Sequence, residues 1–421
     1  HETMDEDKRG FYEFHASMME PWDGPASIAF TDGETCGAVL DRNGLRPSRY
    51  YVTKGGLVIM ASEVGVVPVD EADIAYKGRL QPGKMFLIDI NEGRIISDEE
   101  IKTKIATQKP YKKWVEKNQV NLKDLPESDF KFEADFDSIQ TRQIAFGYTV
   151  EDIKFIIAPM IGTAMEATGS MGNDSPLAIL SQKPQLLFNY FKQLFAQVTN
   201  PAIDSIREEL VMSMEVSLGK EQNLLDESPE HCRKLKVEHP ILTGKEMDKI
   251  RKLNQEGLKP VVLSTLFPVS EGEQGVERAL DALCKNASKA IDEGATILIL
   301  SDKGVDAKNA ALPSLLAIAC VHHHLLRERT RTRVGLVVET GEAREMMHFA
   351  LLIGYGAGAV YPYLAYETVA EIANEAVYIS KLDAETAVSN FIKATRKGLF
   401  KIIAKMGIST IQSYRGAQIF E

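Results

Sequence analysis

The spacing of apolar positions changes along the chain, and its first part predicts β-structure. Between Ser27 and about Ile96, short apolar runs flank turn residues at Asp32-Gly33, Gly55-Gly56 and Asn91-Glu92-Gly93. Turn residues of this kind between two β-like runs indicate hairpins. Three hairpins in succession predict an antiparallel, β-rich segment at the N-terminal end.

From about Gln143 the pattern changes to continuous apolar runs alternating with amphipathic ones. The runs "KPVVLSTLF", "ATILILS", "RVGLVVET" and "GAVYPY" predict strands. The stretches 275–292, 312–329 and "EAREMMHFALLIGYG" between them predict helices. This alternation is typical of a parallel sheet covered on both faces, so the fold class is α/β overall. Half a β/α barrel and a doubly wound sheet both fit, and periodicity does not separate them.

Two other stretches complete the division of the chain. The polar run from Ser97 to about Thr141 has no clean period, which predicts a linker lying on a surface rather than forming a core. Residues 387–421 predict a helix followed by a loop. The chain ends at "YRGAQIFE" without a closing element, and we expect it to be a piece of a longer protein.

Composition excludes several classes of function. The 421 residues carry a net charge of −11, so no general basic surface is available to neutralise nucleic-acid phosphates. The four cysteines, Cys36, Cys232, Cys284 and Cys320, form no CxxC pair, which argues against a zinc ribbon or a disulfide framework. Sparse cysteines suit a reducing cytoplasm. No apolar run approaches the roughly 20 residues that span a membrane.

Searches for generic motifs give weak candidates. The cluster "GYGAGA" (354–359) follows a helix and precedes a strand, the reverse of a dinucleotide fingerprint, so we interpret it as a helix end and tight turn. The residues His322, His323 and His324 lie in a predicted helix and point about 100° apart, so they do not share one metal. "SDKG" (301–304) and "ETGEAR" (339–344) follow parallel strands, where sites collect. Their alternative role is to cap the helices that follow.

Two polar loops have the composition of ligand-contacting segments. In "EATGSMGNDSPLAIL" (166–180), Ser175-Pro176 predicts a helix start whose N-terminus would favour an anion. In "QVTNPAID" (197–204), the side chains of Thr199 and Asn200 can hydrogen-bond a small ligand or orient a neighbouring loop. The alternative for the second loop is a cap and turn ahead of a helix beginning near Pro201.

Longer stretches resemble one family. "DRNGLRPSRY" (41–50) resembles the DxxGxRPL signature of class II glutamine amidotransferases. The segments "YTVEDIKFIIAPMIGTAMEATGSMGNDSPLAILS", "LFAQVTNPAIDSIREELVMSMEVSLGKEQNLL" and "ETGEAREMMHFALLIGYGAGAVYPYLA" resemble the central domain of the glutamate synthase large (alpha) subunit. The resemblance follows the family's order along nearly the whole chain.

The resemblance implies a domain plan. Residues 1–96 would be the C-terminal part of the amidotransferase domain, a remnant of an N-terminal-nucleophile fold, and 97–141 a linker. Residues 142–386 would be the central domain, similar to a partial β/α barrel, and 387–421 a connector toward an FMN-binding synthase domain. The family's nucleophile is an N-terminal Cys, whereas this chain begins with His1, so we expect it to be catalytically inactive alone.

The resemblance also implies site residues. Met171 and Gly172 would form a loop near FMN and 2-oxoglutarate, while Thr199 and Asn200 would line an internal ammonia tunnel. FMN and a 3Fe-4S cluster belong to the longer parent, and we expect neither in this chain nor any catalytic or metal-binding residue. The implied partners are the remaining domains of the same polypeptide and, in the parent, a small NAD(P)H-oxidising subunit or ferredoxin. The competing hypothesis is a stand-alone binding or regulatory protein derived from that enzyme.

Overall fold

The computed structural model describes residues 3–169, 177–194, 196 and 200–421. The chain forms two compact units. Unit 1 comprises His1–Lys117 together with Ala196–Ala202, and unit 2 comprises Asn118–Phe195 together with Ile203–Glu421. The described residues 196 and 200–202 therefore belong to the N-terminal unit, although the described residues on either side, 177–194 and 203–421, belong to unit 2.

Strands and helices are numbered in chain order. The strands are β1 (Ser27–Thr31), β2 (Thr35–Leu40), β3 (Arg49–Thr53), β4 (Val58–Ala61), β5 (Ile74–Arg79), β6 (Met85–Asp89), β7 (Arg94–Ile96), β8 (Val120–Asn121), β9 (Val216–Leu218), β10 (Leu235–Val237), β11 (Pro260–Ser264), β12 (Leu266–Pro268), β13 (Ile297–Ser301), β14 (Asn309–Ala311), β15 (Gly335–Glu339) and β16 (Ala359–Tyr361).

The helices are α1 (Glu6–Ala16), α2 (Asp98–Ala106), α3 (Tyr111–Asn118), α4 (Ile139–Ala145), α5 (Ala158–Thr163), α6 (Glu208–Val211), α7 (Gly244–Arg251), α8 (Gly272–Asp292), α9 (Ser314–Arg327), α10 (Met346–Gly354), α11 (Tyr363–Glu375), α12 (Ala384–Lys405) and α13 (Ile411–Tyr414). A π-helical turn, Asp152–Ile157, leads directly into α5.

Unit 1 contains the three predicted hairpins. The pairs β1–β2, β3–β4 and β6–β7 are antiparallel and turn at the expected residues. They form two sheets, with orders β1-β2-β6-β7 and β4-β3-β5. Gly33, Gly56 and Gly93 have φ between +62° and +95°, which explains why glycine occupies these turns. The prediction of an antiparallel N-terminal segment is confirmed.

The polar stretch predicted as a linker differs from that expectation. It contains α2 and α3, whose side chains Ile101, Tyr111 and Val115 are buried. A Cβ on Gly10 of α1 would lie 2.7 Å from the Cα of Lys112, so α1 and α3 pack with their backbones close together. Each of these helices buries only one narrow side, so a few apolar residues are enough to anchor it. The apolar spacing in the sequence was therefore too sparse to indicate helices.

Unit 2 is built on a parallel sheet with order β11-β13-β15-β16. Every residue of β13 and β15 is buried, as continuous apolar strands predict. Strand β11 lies at the edge, and its Val262 is 49% exposed, so the expectation of full burial fails for this strand. The predicted alternation with helices is confirmed by α8, α9 and α10.

The predicted helix start at Ser175-Pro176 lies outside the described residues. From residue 177 the described chain forms the 3-10 turns Ala178–Leu180 and Leu187–Tyr190, because a turn at Ser181 and then Pro184 interrupt the apolar run. The second predicted helix start is wrong. No helix begins near Pro201. The Asp204 carboxylate there accepts the amides of Ile206 and Arg207, which favours a turn and delays α6 until Glu208.

Candidate functional site

The residues implied by resemblance fall in two loops that the structure describes only in part. Met171, Gly172 and Thr199 lie outside the described residues. Asn200 is described and half-buried in unit 1. Its Oδ1 lies 3.1 Å from the position of a Cβ on Gly24, and Gly24 has a φ of +92°. The Asn200 side chain therefore packs against a loop of unit 1 that requires glycine.

The residues described next to the 170–176 loop do not form a flavin site themselves. The nearest ionisable group is Glu166, whose pKa is raised by burial and opposed in this by the charge of Lys405. A flavin phosphate calls for cations or a row of amide donors rather than a carboxylate. Glu166 thus supplies no phosphate-binding group, and because residues 170–176 lie outside the described part of the chain, no chemical step is assigned to them.

A second candidate lies at the carboxyl edge of the parallel sheet in unit 2. Ser301 of β13 pairs with Glu339 of β15, so the residues that follow them are neighbours. This juxtaposition brings the "SDKG" and "ETGEAR" stretches together, as their positions after parallel strands predicted. Among the side chains, Asp302, Thr340, Glu342 and Arg344 are all at least 90% buried.

Asp302 is the centre of the edge network. Its Oδ2 accepts a hydrogen bond from Thr340 Oγ1 (2.5 Å), and its Oδ1 accepts from Gly341 N (3.0 Å) and Tyr363 Oη (2.9 Å). Burial raises the pKa of Asp302 to about 7, against the lowering effect of these three donors. The carboxyl group therefore exchanges a proton near neutral pH inside a closed hydrogen-bonded pocket.

Arg344 is a clamp rather than a free binding group. Its Nε and Nη2 donate to Asp152 Oδ2 at 3.1 and 3.0 Å, and Nη1 and Nη2 donate to the carbonyls of Phe146, Glu342 and Gly147. The guanidinium also lies 4.1 Å from the ring centroid of Tyr148. All five donors of the guanidinium are thereby occupied. Arg344 ties residues 146–152 to the sheet edge and has no donor left for a substrate.

The remaining carboxylates of this edge cap helices. Glu342 Oε2 accepts from the backbone N (2.8 Å) and Oγ (2.6 Å) of Ser314 at the start of α9. Glu345 forms a reciprocal capping box with His348 at the start of α10. Burial, and then the Arg344 charge, lower the pKa of His348, so its ring is neutral and stacks on Phe188 at 4.2 Å. The capping interpretation of "ETGEAR" is therefore wrong as stated, because Glu342 caps the preceding helix α9 and the cap of the following helix α10 is Glu345, just beyond this stretch.

A cavity of about 620 Å³ opens beside this edge. Its charged lining groups are Asp152, Asp306, Glu342, Glu345 and Arg344. Because all the donors of Arg344 are used within the protein, the charged groups that the cavity offers to a ligand are mainly carboxylates. The helix caps and the Arg344 contacts described above make this edge a rigid structural corner of unit 2.

Metal chemistry finds no support in the described part of the chain. There, no group of three or more His, Cys, Asp or Glu side chains is placed to hold a metal ion. His322 accepts from Arg331 Nε at 3.0 Å, while His324 pairs with Ser288 Oγ at 2.8 Å. The prediction that the adjacent histidines of α9 point to different partners is confirmed. Among the same residues, no helix is long and apolar enough for a membrane crossing.

Sequence reasoning missed two members of the edge network, Asp152 and Tyr363. Both contact partners that are distant along the chain, so no local pattern marks them. A weak signal existed at Thr149 and Asp152, which form a reciprocal side-chain-to-backbone pair at the start of the π-helical turn.

Comparisons with known proteins give a two-part match. The family "Glutamine amidotransferases class-II" matches residues 1–114, which extends beyond the predicted boundary at 96. The family "Glutamate synthase central domain" matches residues 141–421. The antiparallel unit 1 and the parallel sheet of unit 2 thus correspond to an amidotransferase part followed by a synthase central part.

Individual relatives agree. The chain is 51% identical to the glutamate synthase (NADPH) large chain of Bacillus subtilis, covering 99% of this chain and 27% of that protein. It is 43% identical to the glutamate synthase (NADH) of Saccharomyces cerevisiae and to the chloroplastic ferredoxin-dependent glutamate synthase of Oryza sativa. These matches cover 100% and 98% of this chain and 20% and 26% of those proteins. A flavocytochrome b2 structure aligns at 16% identity and a TM-score of 0.29, over 49% of this chain and 44% of that one, which is too weak to bear on the fold.

The chain belongs to the glutamate synthase large-chain family, and it corresponds to a region that contains an amidotransferase part and the central domain. It spans between 20% and 27% of the length of the relatives described above.

Proposed function

We propose that this chain is the connecting region of a glutamate synthase, an enzyme that makes glutamate from glutamine and 2-oxoglutarate with an external reductant. In the proposed reaction, hydrolysis of glutamine releases ammonia and one glutamate. The ammonia condenses with the keto group of 2-oxoglutarate and releases water, and two electrons and two protons then reduce the resulting imine to a second glutamate. The connecting region would carry ammonia between the two sites, away from bulk water that would protonate it.

One observation supports this role more than any other. The described residues Asn200, Pro201 and Ala202 fall within the family match to the central domain, yet they belong to compact unit 1. Asn200, in this segment, packs against Gly24. We propose that Thr199 and Asn200 line the ammonia passage, and that Met171 and Gly172 lie toward the synthase site.

The cofactors and partners belong to the proposed whole enzyme. FMN would supply hydride transfer to the imine, and a 3Fe-4S cluster would supply electrons. Ferredoxin or an NAD(P)H-oxidising subunit would deliver the electrons to the whole enzyme. We further propose a cytoplasmic location, with which the four free thiols agree, and no independent catalysis by this chain.

The parallel sheet is proposed to be part of a β/α barrel. Its four strands follow one another in space in the order of the sequence. A doubly wound sheet reverses its strand order at a switch point, and these four strands contain none.

The proposed role is tested in a full-length glutamate synthase large chain carrying Asn200→Ala, with its reductant. A sealed passage consumes one 2-oxoglutarate for each glutamine hydrolysed. We expect Asn200→Ala to lower this ratio and release free ammonia. The matched control is Asn286→Ala, on the exposed face of α8, which should keep the ratio of the unmodified enzyme. An unchanged ratio in Asn200→Ala would remove Asn200 from the passage.

A further inference from the structure

A cavity in unit 2 shares no lining residue with the cavity at the sheet edge. It has a volume of about 940 Å³ and is enclosed by residues 130–132, by the segment 239–245 and by helix α12. Small-molecule sites in proteins occupy roughly 300–1,000 Å³ and combine apolar walls with a few polar groups. We call it the α12 cavity.

Its walls are apolar and fixed. Phe130, Phe132, Ile392 and Phe400 contribute aromatic and aliphatic surface. The position of Phe130 is set by Gly244, because a Cβ there would lie 2.3 Å from the Phe130 ring. The segment leading to Phe130 is also held: its amide donates to Ser128 Oγ (3.0 Å), which in turn donates to Asp248 Oδ2 (2.5 Å). The cavity is thus a built feature of the fold.

The polar groups of the α12 cavity are mostly cationic. Helix α12 places Lys393, Arg396 and Lys397 on one face at i, i+3 and i+4, and Lys245 faces them from α7. Lys131 adds a fifth cation, against the two carboxylates Glu209 and Glu385. This local excess of positive charge contrasts with a net charge of −11 for the chain.

These cations have no internal counter-ion. Within the described residues, Lys245, Lys393, Arg396 and Lys397 form no ion pair, whereas the adjacent Lys401 pairs with Glu208 at 2.8 Å. The Nε of Arg396 is fully buried and makes no hydrogen bond to any described group. Burial, and then the charge of Arg396, lower the pKa of His239 in the same wall, so its imidazole stays neutral. A buried donor without an acceptor calls for one from outside the chain.

We propose that the α12 cavity binds a small organic anion with an apolar body and a carboxylate, sulfonate or phosphate head group. The head group would accept hydrogen bonds from Arg396 and the neighbouring lysines, and the body would lie against Phe130 and Phe400. This site is independent of the proposed ammonia passage. Its occupation would add a contact between α12, α7 and residues 130–132, all of which line the cavity.

The test is a fluorescence titration of the 421-residue chain with 8-anilinonaphthalene-1-sulfonate, an aromatic body with one anionic group. We expect saturable binding, and weaker binding of the uncharged analogue N-phenyl-1-naphthylamine. The double variant Lys393→Gln/Arg396→Gln should lose about tenfold or more in affinity, since hydrogen bonds to charged groups are worth about 1.5–3 kcal/mol each. The control Lys285→Gln/Lys289→Gln removes the same charge from the exposed face of α8 and should bind like the unmodified chain.

Blocking the cavity gives a second readout. Ser389→Trp, at its exposed rim, should abolish binding while leaving the circular dichroism spectrum unchanged. Equal affinity for the charged and uncharged probes, equal losses in the two double variants, or undiminished binding to Ser389→Trp would each overturn the proposal. Binding by this chain but not by a full-length large chain would also overturn it, since another part of the polypeptide would then fill the cavity.

Discussion

Replacing Asp302 by Asn removes one buried titrating group and keeps the size and shape of the side chain. The carboxyl group of Asp302 is 2% exposed and accepts three hydrogen bonds, from Thr340, Gly341 and Tyr363. Asparagine resembles the protonated form of this side chain, with one acceptor oxygen and a donor in place of the second oxygen. The perturbation therefore isolates the cost of ionising Asp302 inside unit 2.

The magnitude follows from the two pKa values. The pKa of Asp302 is about 7 in the folded chain and 3.8 by default when exposed. Because the folded pKa is the higher one, the folded state binds more protons between these values, and stability falls as pH rises through this window. At about 1.4 kcal/mol per pKa unit, the total loss is about 4 kcal/mol, of which about 2 kcal/mol falls between pH 5 and pH 7.

The assay is urea unfolding of the unmodified chain and of Asp302→Asn at pH 5, 6, 7 and 8, followed by circular dichroism at 222 nm. We expect the free energy of unfolding of the unmodified chain to fall relative to the variant by about 2 kcal/mol from pH 5 to pH 7, and to level off by pH 8. The two tryptophans, Trp22 and Trp114, both lie in unit 1. Tryptophan fluorescence therefore follows the unfolding of unit 1, which lacks the substitution, and serves as an internal reference.

Two results would refute this reasoning. A difference between the two proteins that stays constant from pH 5 to pH 7 would mean that Asp302 ionises at an ordinary pKa. If instead the free energy of unfolding of the unmodified chain rises relative to the variant from pH 5 to pH 7, the three hydrogen bonds outweigh burial and keep the carboxylate charged.

Three further predictions concern stability, cavity shape and thiol reactivity. Arg344→Met should lower the free energy of unfolding of unit 2 by about 3–5 kcal/mol in urea titrations, because it leaves Asp152 buried without its cation. The control Arg278→Met removes an exposed ion pair with Glu271 and should lower the free energy of unfolding by at most about 1 kcal/mol. Gly244→Ala should displace Phe130 and weaken binding of the anionic probe to the α12 cavity. The control Gly55→Ala, whose Cβ meets only Thr53 Oγ1 at 3.9 Å, should leave probe binding unchanged. Equal effects of the two substitutions would contradict the claim that Gly244 fixes the position of Phe130. Burial, together with a hydrogen bond to Cys320, raises the pKa of Cys284 to about 12, so mass spectrometry after iodoacetamide treatment at pH 8 should find Cys284 unmodified in the folded chain and modified in urea.

The sequence predicts the parallel sheet of unit 2 well because its strands are buried on both faces. The strands β13 and β15 consist mainly of Ile, Leu and Val and are buried at every position, and such runs have few alternatives to a central strand. The hairpins of unit 1 were equally visible, since their turn glycines need positive φ. In both cases the determining interactions lie within a few residues of each other.

The prediction is poorer where long-range contacts decide the structure. The carboxylate partner of Arg344 is Asp152, which is 192 positions away, and the carboxyl of Asp302 is held by Tyr363 from another strand end. No local pattern distinguishes such a clamp from a binding residue. The same limit explains the polar stretch at 97–141, where a few buried side chains such as Tyr111 are enough to order helices.

The central claim, that this region carries ammonia between two sites, is tested most directly by isotope tracing. A full-length glutamate synthase receives glutamine labelled with 15N in the amide, 2-oxoglutarate, its reductant and an excess of unlabelled ammonium. The account predicts that the glutamate formed from 2-oxoglutarate keeps nearly all of the label in the unmodified enzyme and loses part of it in Asn200→Ala. Dilution of the label in the unmodified enzyme in proportion to the external ammonium would contradict the account.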